Sequence, residues 1–90
     1  FIVVNNHGWG AVRRATKAMY PDGKALTKND IPLSRIDPAP DYEQIIVSCG
    51  GYGERITSPE KLPDALSRAV RMVREECRQV LLNVVVSEVV

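Results

Sequence analysis

The chain opens on Phe1-Ile2-Val3-Val4, an unbroken apolar run with β-branched residues. A continuous apolar run of this length predicts a strand buried on both faces, as in a parallel sheet. A buried central strand is an unusual N-terminus, so the intact protein is expected to extend upstream of Phe1. Asn5-Asn6-His7-Gly8-Trp9-Gly10 then breaks the strand, because Asn and Gly favour turns and close backbone approach. Residues 10–20 repeat with helical spacing. Ala11, Val12, Ala15, Ala18 and Met19 form an apolar stripe, and Arg13, Arg14 and Lys17 fall off it. Pro21-Asp22-Gly23 ends that helix.

Residues 21–40 carry Pro21, Pro32, Pro38 and Pro40 and no clear period. A stretch of about 20 residues without regular structure points to a functional loop, or to one packed on neighbouring protein. Asp41 is placed to cap a short helix with Tyr42, Ile45, Ile46 and Cys49 inward, stopped by Gly50-Gly51. Residues 52–57 read as a second strand, weakened by Gly53. Ser58-Pro59-Glu60 is a helix start. Leu62, Ala65, Leu66, Ala69, Val70, Val73 and Cys77 follow at three- and four-residue steps, with Arg68, Arg71, Arg74, Glu75 and Glu76 outward. Residues 80–86 form the strongest β-branched run. The order β-α-loop-α-β-α-β implies an α/β fold: a partial parallel sheet flanked by helices.

Composition narrows the function classes. Ninety residues allow one small domain or a piece of a larger one. Hydrophobic residues at 44% and charged residues at 26% are ordinary for a globular chain. A net charge of +1 gives no chain-wide field for nucleic acid or an anionic membrane. Arg13, Arg14, Lys17, Lys24 and Lys28 read as a solvated basic face, since Asp22 interrupts them and only Tyr20 lies among them. No apolar run approaches the roughly 20 residues a membrane helix needs. Cys49 and Cys77 fit neither a zinc pattern nor a disulfide framework, and are expected as buried, reduced thiols in a cytoplasmic protein.

The candidate chemistry lies in the turn after the first strand. Ligands of open α/β sheets bind beyond the carboxyl ends of strands. A helix N-terminus there offers free amides and partial positive charge, which suit a phosphate. Asn side chains offer the oxygen donors that Mg2+ prefers. These residues also fit a purely structural tight turn with Asn in left-handed conformations.

Val3-Val4-Asn5-Asn6-His7-Gly8-Trp9-Gly10, followed by Ala11-Val12-Arg13, resembles the second half of the thiamine diphosphate motif. That motif belongs to the decarboxylase and acetolactate synthase-like superfamily of thiamine diphosphate enzymes. The similarity continues through Pro40-Asp41-Tyr42, Gly50-Gly51-Tyr52-Gly53, Ser58-Pro59-Glu60-Lys61-Leu62 and Val80-Leu81-Leu82-Asn83-Val84. The resemblance thus covers nearly the whole chain. It implies that residues 1–90 are the C-terminal fragment of a diphosphate-binding domain whose upstream domains lie outside this sequence. The Asn6 side-chain oxygen and the Gly8 carbonyl would ligate Mg2+, and the Trp9 and Gly10 amides would meet the cofactor diphosphate. Asn5 would hold the turn, and His7 reads as an exposed turn residue.

The motif's Gly-Asp-Gly half, with its acidic metal ligand, does not occur in these 90 residues. Nor can the family's activating glutamate be assigned, and Glu54, Glu60, Glu75 and Glu76 read as surface charges. No catalytic residue is therefore assigned, and the chain alone is expected to be inactive. The resemblance implies a lyase or transferase acting on a small 2-oxo acid by decarboxylation or carboligation, like acetolactate synthase or benzoylformate decarboxylase, in a homodimer or homotetramer. The alternative is a non-catalytic α/β binding or interaction module.

Overall fold

The computed structural model describes residues 1–28 and 30–87. It divides into two compact units. The first comprises Phe1–Asn5 and Pro40–Val86, and the second is built on Asn6–Ala39.

The first unit holds β1 (Ile2–Asn5), β2 (Tyr52–Ile56) and β3 (Val80–Val85) in one parallel sheet of order β1-β3-β2. Ile2 stands beside Leu82 and Tyr52 beside Val80. β3 is central because its run of branched side chains can be buried on both faces. Val80 and Leu82 point to one face and Asn83 to the other, following the two-residue period. Helix α4 (Leu62–Glu75), entered through a 3-10 turn at Pro59–Lys61, covers the first face. Ile56, Ala65, Val80 and Leu82 form the buried core there, with Leu62, Ala69, Met72 and Val84 against it. Helix α3 (Tyr42–Ser48) covers the Asn83 face, and Asn83 Nδ2 donates to Glu43 Oε2 at 2.7 Å. Gly53 is required at this contact, because a Cβ there would lie 2.0 Å from the Glu43 carbonyl oxygen.

The parallel α/β architecture expected from the sequence is present, with corrections at four places in the first unit. β1 is an edge strand among the described residues, and Ile2 and Val4 are 60% and 66% exposed rather than buried on both sides. The inner face of α3 is Glu43 and Ile46, with Ile45 exposed and Cys49 outside the helix. In α4 the inner line includes Met72, while Leu66, Val70 and Val73 keep exposed surface. Both cysteines are exposed: Cys49 and Cys77 lie just beyond the ends of α3 and α4, where backbone geometry rather than the apolar stripe places the side chain. No described helix is long and apolar enough to cross a membrane.

The second unit holds α1 (Gly10–Met19) and α2 (Lys24–Thr27). The sequence places α1 correctly and its buried face wrongly. Val12 and Met19 are exposed, whereas Arg13 is only 5% exposed. The reason is local: within this unit α1 meets the buried hydroxyl of Ser34 in residues 31–36, and Arg13 supplies the matching hydrogen-bond donor.

Candidate functional site

Asn6 through Gly10 leaves β1 and enters α1 through a turn held on three sides. Asn6 Oδ1 accepts the Gly8 amide at 3.2 Å, an Asx turn. His7 adopts a left-handed conformation with φ of 57°, which reverses the chain between them. The segment 31–36 then braces the turn as a short antiparallel bridge, Gly8 opposite Arg35. Trp9 N donates to Ser34 O at 2.8 Å, and Ile36 N donates to His7 O at 2.9 Å. The Pro-rich stretch is therefore the outer wall of the turn.

Ser34 is the hub of that wall and is fully buried. Its hydroxyl accepts from Arg13 Nη1 at 3.0 Å and donates to the Ile31 carbonyl at 2.6 Å. Its carbonyl faces Gly8 so closely that a Cβ at Gly8 would lie 2.5 Å away. The glycine at position 8 is thus demanded by the protein's own backbone, not by ligand approach alone.

Asn6, His7, Gly8, Gly10, Arg13, Ser34 and Arg35 line one small cleft of about 10 Å³, room for a single water. A diphosphate could meet this cleft only at its mouth. Its lining includes two arginines and no carboxylate. Gly10 opens α1, where the first amides have no acceptor within the helix and carry partial positive charge. The donor set is therefore suited to an anion. Asn6 Oδ1 keeps a second lone pair for a cation, but a hard divalent ion needs more oxygen than these residues supply. Among the described residues no group of three or more His, Cys, Asp or Glu is placed to hold a metal.

Of the residues singled out in the sequence, Asn6, Gly8 and Gly10 meet in this cleft. Trp9 does not line it: the residue is 58% exposed and its amide is engaged by Ser34, so Trp9 is the less available of the two expected diphosphate donors. His7 is half-buried rather than fully exposed. Sequence reasoning missed Arg13 and Ser34. The amphipathic pattern assigns Arg13 to solvent, and a lone serine 21 residues away carries no periodic signal.

Arg55 and Arg68 form ion pairs within the first unit. Arg55 Nε lies 2.8 Å from Glu43 Oε1, and Arg55 also pairs with Asp41. The hydrogen bond that Asp41 accepts from Arg55, with Glu43 adding to it, holds the Arg55 guanidinium above its ordinary pKa. Arg68 Nη2 pairs with Glu54 Oε1 at 2.5 Å, which raises Arg68 likewise and removes Glu54 from the simple surface charges. A raised cation stabilises the fold below its unfolded pKa and is lost only above the folded one, so both pairs persist through neutral and moderately alkaline pH.

Comparison with known families identifies the domain. The family model described as "Thiamine pyrophosphate enzyme, C-terminal TPP binding domain" matches residues 1–84. No curated protein and no solved structure is matched by the chain.

Proposed function

Because the chain belongs to the thiamine pyrophosphate enzyme family through its C-terminal TPP-binding domain, we propose that it anchors the cofactor diphosphate, through Mg2+, in an enzyme acting on 2-oxo acids. The observation that carries this reading is the braced turn at Asn6–Gly10, whose cation-lined cleft gathers three of the four residues expected to bind cofactor. Asn6 Oδ1 and the Gly8 carbonyl are the metal ligands this chain contributes. The Gly10 amide is the foremost diphosphate donor, and Trp9 joins it only if its bond to Ser34 is exchanged. A carboxylate from outside these residues completes the metal site. The segment 31–36 holds the turn in register.

The bound cofactor supplies a carbanion that adds to a keto carbon and then an electron sink. This chain binds, orients and walls that group. Decarboxylation and carboligation, as in acetolactate synthase-like and benzoylformate decarboxylase-like enzymes, both fit such a part, and fold alone does not choose between them. The acidic metal ligand comes from the Gly-Asp-Gly half of the motif, upstream in the same chain, and the activating carboxylate from another domain, of a second subunit in a homodimer or homotetramer. Exposed Phe1, Ile2, Val70 and Val73, around a groove of about 340 Å³ in the first unit, support such a covering neighbour.

Calorimetry of the full-length gene product with thiamine diphosphate tests the reading. Binding should require Mg2+ and weaken in Asn6→Ala. Binding that is absent, or indifferent to both Mg2+ and residue 6, would favour a non-catalytic α/β module.

A further inference from the structure

Arg13 lies one turn inside α1 with 5% of its surface exposed. Nη1 donates to Ser34 Oγ, whereas the buried Nε has no acceptor. Among the described residues Arg13 takes part in no ion pair, unlike Arg55 and Arg68. A guanidinium keeps its charge even when buried. A buried charge answered only by a hydroxyl dipole is unfavourable, and folds normally give it a counter-charge.

The cleft lining supplies no anion. The cleft that Arg13 lines also contains Arg35 and no carboxylate, and it adjoins the positive end of α1. The residues that line the cleft give Arg13 no counter-charge. The missing partner is an anion, and the reading above, on which this inference rests, brings a diphosphate to the same turn.

We infer that Arg13 is a fixed counter-charge for the diphosphate bound at the Asn6–Gly10 turn. It acts through its field rather than by contact, because Nε is sealed from solvent and the cleft admits only a water-sized group. Burial spares this charge from the screening that weakens a surface cation. Its bond to Ser34 fixes where the charge sits.

The test is titration calorimetry of the full-length protein with thiamine diphosphate and, separately, inorganic pyrophosphate. Both are run in Mg2+ at low and high salt. Arg13→Gln keeps a donor for Ser34 and removes the charge, Arg13→Lys keeps the charge, and Arg13→Met is a second neutral variant should Gln fail to fold. The neutral variants should bind both ligands at least about tenfold more weakly, by a similar factor at low and at high salt, because a buried charge is little screened. Arg13→Lys should stay within about threefold of wild type. Without ligand, Arg13→Met should melt no lower than wild type, since it removes an uncompensated buried charge. Wild-type affinity in the neutral variants, or a loss that disappears at high salt as a screened surface charge would give, would overturn the inference. So would equal losses in Lys and Gln, which would make Arg13 a brace for Ser34 and nothing more. If Asn6→Ala weakens binding and the neutral variants do not, this inference alone fails. If wild type binds neither ligand, the diphosphate reading fails with it.

Discussion

The Trp9 amide donates to the Ser34 carbonyl at 2.8 Å, joining the turn that opens α1 to a segment 25 residues downstream. The same carbonyl leaves no room for a side chain at Gly8. Gly8→Ala should therefore push the turn off residues 31–36. We expect a loss of about 1–3 kcal/mol in denaturant unfolding of the full-length protein, and weaker cofactor binding alongside it. Unchanged stability and affinity would mean that the turn is not braced in this way.

Gly53 does the corresponding work in the first unit, where α3 lies directly over β2. A methyl group at Gly53 overlaps the Glu43 backbone, which cannot swing aside as a side chain can. Gly53→Ala should destabilise by about 1–3 kcal/mol or more. The cofactor turn, in the other unit, should keep its ligand affinity wherever the protein remains folded.

Glu43 and Asp41 both pair with Arg55, yet their losses should differ. Glu43 is buried and also accepts from buried Asn83, so Glu43→Ala strands an amide donor. That should cost about 1–3 kcal/mol. The Asp41 side chain is 64% exposed, and Asp41→Ala should cost about 0–1 kcal/mol. Thermal melts of the two variants under identical conditions check the ranking.

Cys49 and Cys77 should both react with an aromatic disulfide reagent in the native protein without denaturant, because both are exposed. Release of fewer than two thiol equivalents per chain would contradict their placement.

What the sequence disclosed follows from which signals are periodic. β3 was legible because a long β-branched run has one physical use, a central parallel strand. The span of α4 was legible from its repeat, but Met72 was not, since three- and four-residue steps alone do not decide which of two adjoining apolar lines packs. The buried face of α1 is not legible, because amphipathicity assumes an apolar partner and Arg13 has a polar one in Ser34. Asn6, Gly8 and Gly10 were legible through local turn chemistry and their resemblance to a family motif. The brace from residues 31–36 was not: a tertiary contact made by irregular backbone leaves no periodic trace.

The most direct measurement is a crystal structure of the full-length protein with thiamine diphosphate and Mg2+. Asn6 Oδ1 should lie about 2.0–2.1 Å from the metal, the distance that octahedral Mg2+ demands of an oxygen ligand. The diphosphate should lie against the amide end of α1. An Asn6 side chain turned from the metal, with the cofactor bound elsewhere, would contradict the account.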